Sequence, residues 1–100
     1  MELKKTINGN KATVEIEGRI DASNAPEYEK ALLALPAEVK ALDIDLSDVE
    51  YISSAGLRML LVIQKAYDKI DGSLRLTGVA DEVLEIFEVT GFNEFLTIKQ

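Results

Sequence analysis

Ser53 and Ser54 are where this sequence offers chemistry. They follow the run Asp45-Leu46-Ser47-Asp48-Val49-Glu50-Tyr51-Ile52, which reads as an apolar strand and a short acidic turn. Helical spacing of apolar residues begins directly after them, at Leu57. The first N–H groups of a helix have no partner inside it, and the helix dipole is positive there. A hydroxyl at that place either caps the helix or carries a phosphate. The acidic residues just upstream disfavour a permanently bound anion, which points to a covalent, reversible phosphate. Spacing alone leaves two readings open: Ser54 as a phosphoacceptor, or Ser53 or Ser54 as a plain cap.

Other chemistries are poorly supplied. The chain has no histidine and no cysteine, so the commonest general base, the usual nitrogen metal ligand and thiolate zinc sites are missing. No Gly-x-Ser-x-Gly elbow surrounds the serines, so a serine hydrolase is disfavoured. Asp21, Asp45 and Asp48 are expected at element ends near the Ser54 turn. There they would form an acidic rim facing a kinase's magnesium or a basic contact surface. The alternative is a helix cap for Asp21 and turn chemistry for Asp48. Their spacing does not define a standing metal site, and no cofactor is expected. Gly56 either lets a partner's backbone approach or permits tight helix–strand packing. Arg58, on the first turn of the helix, is expected to be exposed, where it could meet a partner's carboxylate or a phosphate. Met59 belongs with the core.

The formal net charge of −7 opposes nucleic-acid binding, whose affinity comes largely from neutralising phosphates. It suits solubility, or association with a basic protein patch. No run of about 18 apolar residues could span a membrane, and Met1-Glu2-Leu3-Lys4-Lys5 lacks an apolar leader core. A cytoplasmic monomer with one domain over residues 1–100 is expected.

The elements that must position the serines can be read in order. Leu3–Ile7 forms a strand, Asn8-Gly9 a tight turn, and Ala12, Val14 and Ile16 a second strand with one apolar face. Asn24 with Glu27 suggests a capping box for a helix that carries Pro26 in its first turn and stops at Pro36. Leu42, Ile44 and Leu46 give a third strand. A deeply packed helix follows, with Leu57 and Leu61 expected buried, and Gly72 ends it. Leu74–Thr77 is a fourth strand, Asp81 caps a third helix that buries Phe87, and Phe95–Ile98 is a last strand. The order β-β-α-β-α-β-α-β implies an α/β fold: a parallel core with an antiparallel hairpin, and helices chiefly on one face.

Tyr51, Ile52, Ser53, Ser54, Ala55, Gly56 and Leu57, with Gly18-Arg19-Ile20-Asp21 and Thr90-Gly91-Phe92 in the same order, resemble the signature of STAS domains. That family takes its name from sulphate transporters and anti-sigma factor antagonists. The resemblance implies a STAS fold over nearly the whole chain. It implies an anti-sigma factor antagonist that is not an enzyme. Its unphosphorylated form would bind a serine-kinase anti-sigma factor, which itself holds ATP and Mg²⁺. Phosphorylation of Ser54 would end binding, and a phosphatase would restore it. Ser53 stands where the family has Asp, so it cannot supply that charge and becomes a second possible acceptor. Partner contacts would fall on Asp21, Asp45, Asp48, Ser53, Ser54, Ala55, Gly56 and Arg58. The alternative is a STAS-type ligand-binding or scaffold module, with a nucleotide or anion framed by Ser54 and Ala55.

Overall fold

Alternation decides the sheet. In β2 (Lys11–Ile20), Ala12, Val14, Ile16 and Ile20 are buried while Lys11, Glu15, Glu17 and Arg19 are exposed. One face of the strand is therefore core and the other is water. The structure, a computed structural model, describes residues 3–99. Met1, Glu2 and Gln100, which the domain and leader expectations include, lie outside the described residues. β1 (Lys4–Asn8) pairs antiparallel with β2 through a two-residue loop whose Gly9 has φ +64°. Then come α1 (Ala25–Leu33), β3 (Ala41–Ile52), α2 (Ser54–Lys69), β4 (Ser73–Thr77), α3 (Asp81–Thr90), a 3-10 turn at Phe92–Glu94, and β5 (Ile98–Lys99).

The strands lie in chain order, β1-β2-β3-β4-β5, and every pair after the hairpin is parallel. Crossovers that always advance in one direction, each right-handed, put all three helices on one face. The opposite face is polar. On it, Arg75 donates two hydrogen bonds to the Asp43 carboxylate, at 2.9 and 2.7 Å, and Lys11 lies 3.3 Å away. These cations hold the Asp43 carboxyl below the usual range: the Arg75 hydrogen bonds dominate, and burial opposes them.

Several expectations change. β3 does not stop at Leu46. Its pairing with β2 slips twice, between Glu15 and Glu17 and between Gly18 and Arg19, and β3 holds the extra residue each time. These bulges reset the phase of β3, so Leu46, Val49 and Ile52 all face the core. Strict alternation fails at Ser47-Asp48 for that reason, although the strand continues. Gly18 sits at the second slip with φ +84°, a backbone conformation that side-chain-bearing residues rarely adopt.

In α2, Gly56, Leu57, Met59, Leu60, Ile63 and Tyr67 are buried, whereas Leu61 is only half-buried. Leu61 lies about 100° round the helix from Leu60, off the stripe that meets the sheet. Phe87 is fully buried, as expected. The turn after α2 places Asp71 at φ 55°, while Gly72 follows because an added Cβ would lie 2.5 Å from the Lys40 carbonyl oxygen. Ala80, not Asp81, precedes the first turn of α3. The closing strand is Ile98–Lys99 and not Phe95–Ile98, because after the 3-10 turn the N–H groups of Phe95 and Leu96 still donate back to the Phe92 carbonyl.

Candidate functional site

The start of α2 is fixed to the sheet by Ser53. Its N–H donates to the Ile20 carbonyl at 2.9 Å, and its carbonyl accepts from Leu57 N–H at 2.9 Å. Its backbone is extended, with φ −88° and ψ 175°, and its Oγ accepts from Gly56 N–H at 3.4 Å. Ser53 is thus the cap. Ser54 is the first helical residue, exposed, and its hydroxyl has no hydrogen bond among the described residues. The two adjacent serines do different things: one holds the helix, and the other presents a free hydroxyl.

Gly56 is buried. A Cβ there would lie 2.6 Å from Ile52 Cγ1 and 2.8 Å from Ile20 Cγ2. It is therefore a packing residue that lets α2 lie on β2 and β3, and it does not form a surface. Ala55 is half-buried, and Arg58 is exposed one turn after Ser54. Ser54, Ala55 and Arg58 line a groove of about 430 Å³ whose other wall is Ala22, Ala25, Pro26 and Glu29, from α1 and the loop before it.

The expected acidic rim does not assemble. Asp21 directly follows the Ile20 carbonyl that anchors Ser53, so it does lie at this end. Its carboxylate accepts from the Ser23 N–H and hydroxyl, which holds its pKa below the ordinary value. Asp45 lies seven strand residues before Ile52, roughly 20 Å lower in the sheet, where it accepts from Ser47 N–H at 2.9 Å. Asp48 sits opposite Glu17 and lines a small hollow with Lys4 and Glu15. The two aspartates fall away from Ser54 because β3 runs on beyond them.

Other groups occupy this end of the sheet. Arg19 and Tyr51 face each other across β2 and β3, with the guanidinium carbon 4.4 Å from the ring centroid. A shallow concavity beside them is lined by Glu17, Arg19, Asp21, Asn24, Tyr28 and Glu50. The Arg19–Tyr51 pair was not visible in the sequence, since it depends on both bulges. The capping box is not formed either. Asn24 precedes α1, but its amide group ties the loop to β2. Its oxygen accepts from Asp21 N–H at 2.9 Å, and its NH₂ donates to the Arg19 carbonyl at 2.8 Å.

Among the described residues no cluster of acidic side chains could hold a metal ion, and no helix is long and apolar enough to cross a membrane. The family model described as "Mlab, STAS domain" matches residues 3–98. The anti-sigma-B factor antagonist of Bacillus subtilis (strain 168) is 33% identical over 91 residues, covering 91% of this chain and 84% of that protein. An anti-sigma factor antagonist from Mycobacterium paratuberculosis superposes with a TM-score of 0.83 at 26% identity, covering 97% of this chain and 83% of that one. TM1081 of Thermotoga maritima shares the fold at a TM-score of 0.89 and 19% identity, over 98% of this chain and 86% of that one. The chain belongs to the STAS domain family, the family of the anti-sigma factor antagonists.

Proposed function

We propose that this protein is an anti-sigma factor antagonist that works as a phosphorylation-controlled binding partner in the cytoplasm. It is a regulatory binding protein and not an enzyme. In the unmodified state it binds a kinase-type anti-sigma factor as a monomer and frees the sigma factor. The partner, which holds ATP and Mg²⁺, then phosphorylates Ser54. A bond forms between Ser54 Oγ and the γ-phosphorus, the bond to the β-phosphate bridging oxygen breaks, and ADP leaves. The hydroxyl proton passes to a base of the partner. A phosphatase reverses the modification.

The observation that carries this reading is the division of labour between the serines. Ser53 caps, so Ser54 is exposed with an uncommitted hydroxyl on a surface shared with Arg58. Phosphorylation adds about −1.5 to −2 charges. Those charges lie at the centre of the binding surface, where repulsion and desolvation oppose the complex. The contact surface comprises Ser54, Ala55, Arg58 and Asp21, with Glu17, Glu50, Arg19 and Tyr51 beside them in place of Asp45 and Asp48. Aromatic and arginine side chains are the usual anchors of such surfaces.

Incubation with a kinase-type anti-sigma factor from the same genome, with ATP and Mg²⁺, should add one phosphate that maps to Ser54 by mass spectrometry. Ser54→Asp should weaken binding to that partner at least about tenfold, or 1.4 kcal/mol, while Ser54→Ala binds but is not released. Label on Ser53, or full affinity in Ser54→Asp, would overturn the mechanism. The groove beside Ser54 and Ala55 also supports a second reading, a nucleotide-binding module. Saturable ATP or GTP binding to the isolated protein by calorimetry would favour it.

A further inference from the structure

We propose that Arg58 is the receptor for a phosphate carried on Ser54, so that modification withdraws this arginine from the partner-facing surface. The inference rests on Ser54 being the acceptor. The chain has three arginines. Arg75 is engaged by the Asp43 carboxylate, and Arg19 is stacked on Tyr51. Arg58 alone has a side chain with no ion pair, hydrogen bond or ring contact among the described residues, and it is exposed. It follows Ser54 by four residues in one continuous helix, a spacing that puts the two Cβ atoms about 5–6 Å apart on one face. Both side chains line the same groove.

The rest of that groove offers the arginine little competition. Ala22, Ala25 and Pro26 present short apolar side chains, and Glu29 is the only acidic group on the wall. Glu29 makes no ion pair with Arg58. A guanidinium meets a phosphate with two parallel N–H···O bonds, a geometry that a lysine does not reproduce. In the unmodified protein Arg58 is free to meet a partner carboxylate. Once Ser54 is phosphorylated, Arg58 folds onto its own phosphate and the groove fills. Loss of the partner thus has two sources: the added charge, and the loss of Arg58 as a contact.

The test installs phosphoserine at position 54 during translation, with no kinase involved, and follows its phosphorus resonance by NMR through a pH titration. The second ionisation of phosphoserine lies near pH 6. An opposite charge within hydrogen-bonding reach favours the dianion, so the parent protein should titrate at least about 0.5 unit below Arg58→Gln, allowing for solvent exposure. Glu29→Gln should move the titration down, because it removes a like charge. Arg58→Lys should fall between parent and Arg58→Gln. Superimposable parent and Arg58→Gln curves would overturn the proposal. A second readout uses the unmutated side chain: the Arg58 Nε–H resonance should shift when phosphatase removes the phosphate, and an unmoved resonance would equally overturn it. Because the phosphate is placed without a kinase, failure of kinase labelling would count against the acceptor reading alone.

Discussion

Replacing the two serines one at a time should separate a structural hydroxyl from a functional one. Ser53 Oγ accepts from Gly56 N–H, and the same residue is anchored by its backbone to Ile20 and Leu57. Loss of an N-cap hydroxyl costs about 0.5–2 kcal/mol. The 3.4 Å separation is at the long end for such a bond, so Ser53→Ala should cost about 0.5–1 kcal/mol. For a domain of this size 1 kcal/mol corresponds to about 4–8 °C in Tm, which places the expected drop at about 2–8 °C. Ser54 is exposed and makes no hydrogen bond among the described residues. Alanine is also the better helix former, so Ser54→Ala should stay within about 0.5 kcal/mol of the parent. Ser53→Asp should melt at the same temperature or higher, because Asp is also a strong cap and carries a charge that the dipole favours. Circular-dichroism melts of the three variants, with urea titrations to check two-state behaviour, read this directly. A stable Ser53→Ala beside a destabilised Ser54→Ala would refute the division of labour and remove the main support for Ser54 as acceptor.

Gly56→Ala should drive a methyl group into Ile52 and Ile20, at 2.6 and 2.8 Å. Overpacking costs about 1–3 kcal/mol, partly offset by better helix propensity, so a net loss of about 1 kcal/mol is expected in a denaturant titration. Leu60→Ala should cost about 2–5 kcal/mol, because Leu60 is fully buried. Half-buried Leu61→Ala should cost less than about 2 kcal/mol, and equal losses would show that α2 is rotated from the orientation described. The Asp43 carboxyl titrates below its unfolded-state value of about 4. The stability gained from its pairing with Arg75 is therefore fully present above that value and is lost as pH falls through the lower folded-state value. Asp43→Asn should weaken the fold at pH 7 and flatten its loss below about pH 4 in acid-dependent melts, since the variant has no carboxyl there to protonate.

Local rules made much of this protein legible. Alternation at Ala12, Val14 and Ile16 specified β2, Thr90-Gly91 specified the end of α3 with Gly91 at φ 79°, and the paired serines specified a helix start. The order of strands and helices specified which sheet face is covered. These features depend on residues a few positions apart, so their spacing determines them. Other features required the assembled fold. β3 outlasts its own alternation because β2 supplies a partner long enough to absorb two bulges, and that carries Asp45 and Asp48 away from Ser54. Asn24 gives its amide to the end of β2 and so leaves the helix uncapped by its side chain. Gly56 is read as packing only once Ile20 and Ile52 lie beneath it. Which serine caps, and which arginine of three is left free, follow from where the end of β2 anchors α2 and from strand register. The two slips in that register lie between residues of β2 and β3 that are distant in the chain, so no local spacing encodes them.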